Sequence, residues 1–265
     1  MNPDITALRV LAEDLARRAG AGALDGRRLL GVGHVAHDTK SSPTDPVTEY
    51  DRAAERLIVD ALRSSRPDDA IVGEEGADVA GSSGLEWHID PIDGTANFVY
   101  DLPSWCTSVA VVDSDGPLAG AVYIPLTNEL FSAARGRGAT LDGVSIACSS
   151  ATELSRALVA TGFSYTAEQR AGQARRLAFL LPDVRDVRRL GSAAIDLCFV
   201  ACGRLDAYFE EYLNSWDFAA GVLIAQEAGA ITSDLMGGRA GSVATVAAAP
   251  GIHRDLVATI NAIDT

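Results

Sequence analysis

Residues 87–98 read Trp87-His88-Ile89-Asp90-Pro91-Ile92-Asp93-Gly94-Thr95-Ala96-Asn97-Phe98. The apolar residues Trp87 and Ile89 predict a strand that leads into this segment. Pro91 fixes φ and removes a backbone donor, so we expect the strand to end in a turn at Asp90-Pro91. That turn would aim the carboxylates of Asp90 and Asp93 at one point.

The two carboxylates of this segment repel each other unless a cation lies between them. Carboxylate oxygens at this density are hard ligands, and such ligands suit Mg²⁺. The ordinary alternative is that both residues only form a turn, because aspartate is common in turns before glycine. We interpret Asp90 and Asp93 as metal ligands, since proline, glycine and threonine accompany them.

The composition argues against nucleic-acid and membrane partners. The chain has 265 residues, and 22 Lys and Arg against 36 Asp and Glu give a net charge of −14, whereas nucleic-acid binders are usually basic. No apolar run reaches transmembrane length, and the first residues lack the apolar core of a signal peptide. The four cysteines suggest no disulfide framework, so we expect a reducing, cytoplasmic location.

The apolar periodicity divides the chain into two parts of different style. Residues 1–150 predict helices followed by a meander of antiparallel strands, and residues 151–265 predict alternating strands and helices. The predicted strands are 70–73, 86–90, 106–113, 118–124, 129–134, 158–161, 187–190, 205–209, 230–232 and 243–248. A hairpin is expected at Asp113-Ser114-Asp115-Gly116.

Glycines and capping residues predict where the helices end and begin. Helix 5–24 is expected to end in the glycine-rich stretch from Gly20 to Gly26. The next helix is expected to begin with a capping box formed by Thr48 and Asp51. The remaining predicted helices are 48–63, 167–181, 192–202 with Ser192 as N-cap, 216–228 and 252–263.

Four segments of the chain resemble the inositol monophosphatase family of Mg²⁺-dependent, lithium-sensitive phosphatases. Residues 87–98 match its signature Trp-x-x-Asp-Pro-Ile/Leu-Asp-Gly-Thr-x-Asn-Phe/Tyr without a gap. Lys40–Asp51, Gly73–Gly76 and Trp216–Gly221 resemble three further blocks in the same order. The resemblance implies a layered α/β/α/β/α sandwich, a single compact unit over residues 1–265, and a homodimer.

The resemblance also implies which residues hold the metal. Two to three Mg²⁺ ions are expected on Glu74, Asp90, Asp93 and Asp217 and on the carbonyl oxygen of Ile92. Read alone, Glu74 could be an exposed loop acid. Asp217 could be an acid favoured by the helix dipole, which would also keep it ionised. Asp51 is implied near a third metal, although it also fits the capping box, and Lys40 is expected to point toward the site.

The catalytic residues implied by the resemblance are Glu74, Thr95 and Asp93. Glu74 and Thr95 are expected to be hydrogen-bonding partners that together activate the attacking water. Thr95 could equally be a helix N-cap, and both roles are compatible if Gly94 and Thr95 open a short helix whose N–H groups bind phosphate oxygens.

The substrate-binding residues implied are Glu74, Ile92, Asp93, Gly94, Thr95, Gly191, Ser192, Ala193, Glu210 and Asp217. Glu210 would bind sugar hydroxyls, and its ordinary alternative is a solvated acid at the end of a strand. Arg188 precedes the loop at Gly191 and would meet a phosphate or a polyol, unless it is only a surface charge. Ser164 is a further candidate.

We expect Mg²⁺-dependent hydrolysis of inositol monophosphate to myo-inositol and phosphate. Phosphoryl transfer requires mainly positioning and charge stabilisation, and neither Cys106 nor the four histidines show triad-type partners in the sequence. One alternative is a related phosphatase for fructose 1,6-bisphosphate, a nucleotide 3′-phosphate or histidinol phosphate. Another is a regulatory or scaffold protein on the same fold.

Overall fold

The computed structural model describes residues 4–31, 33 and 35–262, whose helices and strands form five layers. The helices are α1 (Ile5–Leu29), α2 (Glu49–Ser65), α3 (Thr95–Val99), α4 (Ala167–Leu180), α5 (Ala193–Ala201), α6 (Ser215–Glu227) and α7 (His253–Asn261). The strands are β1 (Asp38–Thr39), β2 (Pro46–Val47), β3 (Ala70–Gly73), β4 (Asp78–Val79), β5 (Glu86–Asp93), β6 (Cys106–Asp113), β7 (Gly116–Ile124), β8 (Glu129–Ala134), β9 (Ala139–Leu141), β10 (Val144–Ser145), β11 (Leu158–Thr161), β12 (Asp186–Arg188), β13 (Ala207–Glu211), β14 (Ile231–Ser233) and β15 (Ala244–Ala248).

The larger sheet is built from the first part of the chain. Its strand order is β10-β9-β8-β7-β6-β5-β3-β4, and neighbours are antiparallel except for β3 and β5. The expected meander is β6 to β8, with the predicted hairpin between Asp113 and Gly116. Helices α1 and α2 cover one face, where Leu15, Ile58 and Trp87 share one apolar core.

The smaller sheet is built from the second part of the chain and has the order β12-β11-β13-β15-β14. Helices α5 and α6 lie between the two sheets, and α4 and α7 pack on the outer side of the smaller one. Helix α5 is buried along almost its whole length, as expected for a helix that is apolar on nearly all sides. The predicted α/β/α/β/α sandwich is therefore confirmed.

Helix α1 is the longest in the described part of the chain, with 25 residues. It buries one face, which includes Leu8, Leu15 and Ala19, and leaves charged residues on the other. No helix among the described residues is long and apolar enough to cross a membrane.

The predicted end of the first helix at its glycines is wrong, because α1 continues to Leu29. At least one of these glycines marks a close helix contact instead of a helix end. A Cβ atom on Gly26 would lie 2.2 Å from the ring of Tyr50 on α2, whereas a Cβ atom on Gly22 would meet nothing within 4 Å. Gly26 thus allows α1 and α2 to approach each other.

The expected turn at Asp90-Pro91 is also wrong, because β5 runs on to Asp93. Its pairing with β6 becomes irregular between Asp90 and Asp93. Pro91 has no N–H for the ladder, and its carbonyl accepts a hydrogen bond of 2.8 Å from the hydroxyl of Thr107. A bulge of this kind re-aims side chains without ending the strand.

The predicted caps at Thr48 and Ser192 are confirmed, whereas the N-cap of α3 is Gly94 and not Thr95. Some short elements were not predicted. Thr48 and Asp51 make both hydrogen bonds of a capping box, and Ser192 caps α5. The predicted helix 252–263 corresponds to α7, although residue 263 lies outside the described residues. The strands β1, β2, β4, β9 and β10 have two or three residues each, too few for a recognisable period.

We expect two glycine-to-alanine substitutions in α1 to change stability in opposite directions. Gly22→Ala should raise the free energy of unfolding by about 0.5–1 kcal/mol, because alanine is the better helix former and the site is open. Gly26→Ala should lower it by about 1–3 kcal/mol, because the added methyl group collides with Tyr50. Urea unfolding of both variants measures the difference, and equal shifts would contradict the packing role of Gly26.

Candidate active site

The cleft between the two sheets gathers most of the side chains that the sequence singled out. It lies where β3, β5 and β13 end and where α5 and α6 begin. The predicted residues that line it are Glu74, Asp90, Ile92, Asp93, Gly94, Thr95, Ser164, Gly191, Ser192, Ala193, Glu210 and Asp217. Lining residues that sequence reasoning missed include Phe163, Tyr165, Arg189, Tyr212 and Asn214.

Four acidic side chains, Glu74, Asp90, Asp93 and Asp217, share one wall of this cleft. Asp90 is only 2% exposed. Its Oδ1 atom and the Oε2 atom of Glu74 are buried and have no hydrogen-bond partner among the described residues. Burial, followed by the charges of its three acidic neighbours, raises the pKa of Asp90 well above its ordinary value. The charge of such a cluster must be balanced by protons or by cations.

Asp93 connects the end of β5 to the first turn of α5. Its Oδ2 atom accepts hydrogen bonds of 2.7 Å from the Ser192 hydroxyl and from the N–H of Ala194. The Ser192 hydroxyl in turn accepts from the N–H of Ile195 as the helix cap. Burial raises the pKa of Asp93 to about 6, although the donors on α5 favour its charged form.

Asp217 lies in the first turn of α6, as predicted. Its Oδ2 atom accepts a hydrogen bond of 2.7 Å from the N–H of Asn214, which forms half of a capping box. The helix dipole favours the charged form of Asp217, but desolvation acts against it. Burial, followed by the charges of Asp93 and Glu74, raises its pKa well above the ordinary value.

Glu74 is paired with Lys40, which reaches it from the loop between β1 and β2. The Lys40 ammonium lies 2.6 Å from Glu74 Oε1 and 3.0 Å from Glu75 Oε1. Burial raises the pKa of Glu74, and the charge of Lys40 opposes that shift. Burial alone would lower the pKa of Lys40, but the two carboxylates raise it. Lys40 thus points toward the site, as expected.

Thr95 is bonded to Asp51, and the predicted hydrogen bond between Thr95 and Glu74 is absent from the described structure. The Thr95 hydroxyl lies 3.1 Å from Asp51 Oδ1 and 3.0 Å from the carbonyl oxygen of Ile92. Asp51 is fully buried at the start of α2 and does not line the cleft. Burial raises its pKa to about 7. Asp51 therefore contributes to the site through Thr95.

Glu210 lines another part of the cleft, at the end of β13. Its Oε2 atom accepts a hydrogen bond of 2.7 Å from the hydroxyl of Tyr208. Burial raises its pKa to about 7, although Tyr208 and the charge of Arg189 oppose the shift. Gly162 leaves room for this carboxylate, because a Cβ atom there would lie within about 2 Å of it.

Arg188 does not reach the cleft, and its neighbour Arg189 does. The Arg188 guanidinium is exposed and lies 2.6 Å from Asp186. Strand β12 ends at Arg188, and Arg189 begins the loop that leads to Gly191 at the cleft. Arg189 is the one basic side chain in the cleft lining as far as the described residues define it.

His88 has partners of the triad type, which the sequence had not revealed. Its Nδ1 atom lies 2.6 Å from the hydroxyl of Ser215, and its Nε2 atom lies 2.9 Å from a carboxylate oxygen of Glu86. Burial lowers the pKa of His88. The carboxylate of Glu86 can only accept, so Nε2 donates to it and Nδ1 of the neutral ring accepts from Ser215.

The donor set fits a hard divalent cation. It consists of carboxylate and carbonyl oxygens, which Mg²⁺ prefers, and two of its buried oxygens lack any donor. Over residues 4–31, 33 and 35–262, no three His, Cys, Asp or Glu side chains already form a finished metal cluster. Lys40, Ser192 and Asn214 each contact one of the acids from a different part of the structure.

Comparison with known proteins adds independent findings. A sequence model described as the inositol monophosphatase family matches residues 4–264. The inositol-1-monophosphatase SuhB of Mycobacterium tuberculosis is 48% identical over 271 residues, which cover 96% of this chain and 93% of that protein. The solved structure of Mycobacterium tuberculosis SuhB superposes with a TM-score of 0.84, at 42% identity and 98% coverage of both chains.

A further relative is not named as a phosphatase. The Nus factor SuhB of Escherichia coli K12 is 43% identical over 202 residues, which cover 76% of each chain. The family model matches almost the whole sequence, and this match shows the family of the chain independently of the names of individual relatives. The chain belongs to the inositol monophosphatase family.

Proposed function

We propose that this protein is a Mg²⁺-dependent phosphatase that hydrolyses inositol monophosphate to myo-inositol and phosphate. The observation that carries the proposal is the buried carboxylate cluster with two oxygens that have no donor, Glu74 Oε2 and Asp90 Oδ1. An acidic cleft repels a phosphate ester, so it can bind one only if cations lie between them. Relatives named inositol-1-monophosphatase, at 48% identity, support the same substrate.

The metal would be held by residues at the end of β3, on β5 and in the first turn of α6. These are Glu74, Asp90, Asp93 and Asp217, with the carbonyl oxygen of Ile92. Bound Mg²⁺ would lower the pKa of a water and neutralise charge on the phosphate and on the leaving oxygen. The chain's own contribution is to hold the carboxylates rigidly, as Ser192 holds Asp93 and Asn214 holds Asp217.

Thr95 and Asp51 would orient the attacking water. When the Thr95 hydroxyl donates to Asp51, its lone pairs are left to accept a hydrogen bond from water. Glu74 Oε2, which has no other partner, is a second acceptor for that water. Two acceptors would fix both O–H bonds of the water and therefore the directions of its lone pairs, which is the positioning that phosphoryl transfer requires.

The organic part of the substrate would lie against Glu210 and the first turn of α5. Glu210 can accept hydrogen bonds from ring hydroxyls, and Tyr208 holds its carboxylate in place. Arg189, near Glu210 and Asp93, would limit the negative charge that this wall presents. The same cation site would serve fructose 1,6-bisphosphate, a nucleotide 3′-phosphate or histidinol phosphate. Glu210 and the first turn of α5, which would contact the organic part, would therefore decide among these substrates.

A second role as a partner-binding protein is a separate candidate, because relatives of this chain are named Nus factor. The net charge of −14 makes a protein partner a better match than direct contact with nucleic acid. A pull-down that compares the wild type with Asp93→Asn separates this role from catalysis. We also propose a homodimer, for which the exposed side chains of Leu102 and Leu126, which line one groove, offer an apolar surface.

Release of inorganic phosphate from a panel of inositol, sugar and nucleotide phosphates tests the proposed function. We expect the highest kcat/KM on inositol monophosphate, loss of activity after dialysis against EDTA, recovery with Mg²⁺, and inhibition by lithium. Full activity after EDTA treatment would contradict the metal-dependent reaction. A clear preference for another phosphate would keep the reaction and replace the substrate.

We expect Thr95→Ala to lower kcat by roughly 10²–10⁴-fold with little change in KM, because the water is not part of the substrate. Thr95→Ser keeps the hydroxyl and is the matched control. Asp51→Asn should lower kcat in the same way, and the double variant should be little worse than either single variant. Steady-state kinetics measures these losses, and independent multiplication of the two would mean that Thr95 and Asp51 do not act as one unit.

We expect Glu210→Gln to reduce kcat/KM for inositol monophosphate more than for glycerol 2-phosphate. The larger substrate has more hydroxyls that can contact this wall, and a site that binds a hydroxyl discriminates against analogues that lack it. The ratio of the two kcat/KM values is the readout. An equal loss on both substrates would show that Glu210 does not determine substrate preference.

A further inference from the structure

A hydrogen bond between His88 and Ser215 joins the strand and the helix that carry two of the acids in the cleft. His88 lies two residues before Asp90 on β5, and Ser215 lies two residues before Asp217 in the first turn of α6. The distance between His88 Nδ1 and Ser215 Oγ is 2.6 Å. Residues two apart on a strand share a face, so His88 and Asp90 both face α6.

The contact is buried and braced on both sides. His88 is 7% exposed, and Glu86 holds the far side of its ring at 2.9 Å. On the neighbouring strand β6, the Ser108 hydroxyl donates to the carbonyl oxygen of Trp216 at 3.3 Å. The first turn of α6 is therefore attached by side chains to β5 and to β6, directly beside the acids.

Electrostatic repulsion between the acids opposes these side-chain contacts. Asp90 and Asp217 repel each other when both are charged, and among the described residues no basic side chain pairs with either. Without an attachment, this repulsion would push the first turn of α6 away from β5. The separation of the two carboxylates thus depends on what holds that turn in place.

We propose that His88 and Ser215 are positioning residues that set the separation of Asp90 and Asp217, and with it the affinity of this chain for a divalent cation. The inference rests on the proposed function, because it takes these acids as metal ligands. It concerns this chain in particular, since the family signature leaves the position of His88 open. Neither side chain lines the cleft in the described structure, which argues against a nucleophilic role for Ser215.

Binding of Mg²⁺ alone, measured by isothermal titration calorimetry on the whole chain, tests this proposal without an activity assay. Ser215→Ala and His88→Leu should each weaken binding by roughly 10–100-fold, the effect typical of residues that orient metal ligands. The double variant should be no weaker than the worse single variant, because both remove one interaction. His88→Asn, which keeps a polar group near the position of Nδ1, should recover much of the loss.

Glu86→Gln is the matched control: the glutamine carbonyl oxygen can still accept from His88 Nε2, so removing the charge of Glu86 should change Mg²⁺ affinity by less than about threefold. If His88→Leu fails to fold, Ser215→Ala carries the test, because it removes one oxygen atom at a helix end. Wild-type affinity in Ser215→Ala would overturn the positioning role alone. Absence of Mg²⁺ binding to the wild type would instead overturn the proposed function on which the inference rests.

Discussion

The burial of mutually repelling carboxylates is the constraint on which the rest of this structure depends. Asp90 is buried and Asp217 is half-buried at the same cleft, and desolvation together with neighbouring negative charge raises the pKa of each. A fold can hold such a group only if the elements that carry the acids are fixed by other forces. The two large apolar cores supply most of that force, and α6 belongs to the layer that both sheets share.

Polar contacts then fix each acid from a different direction. Asp93 is held by the first turn of α5, and Asp217 by the backbone just before α6. Glu74 is held by Lys40, and Asp51 by its own capping box. Each contact joins elements or turns that the apolar cores have already brought together. The site is therefore assembled from both parts of the chain, and the layer of α5 and α6 is where the two parts meet.

The sequence predicted what depends on local signals and missed what depends on the approach of distant elements. The caps at Thr48 and Ser192 were predictable, because capping side chains act within a few residues. The effect of Pro91 was not, because pairing with β6 carries β5 on to Asp93. The pairing of Thr95 with Asp51 was not predictable, because α2 brings Asp51 to Thr95 from 44 residues away. The bond between His88 and Ser215 likewise joins residues 127 positions apart. The role of Gly26 was not predictable for the same reason, since its contact with the ring of Tyr50 depends on how α1 and α2 pack.

The arrangement has a consequence for how stability and function are related in this chain. Asp93 is stabilised by two donors, but Asp90 has a buried oxygen with no donor at all. An unpaired buried acceptor of this kind destabilises a folded chain by about 1–3 kcal/mol. A cation that binds the cluster would remove both the repulsion and the missing contact, and would stabilise the folded state through mass action. The residues best placed to bind the metal are thus the ones that make the metal-free fold less stable, which is the expected relation for a site selected for function.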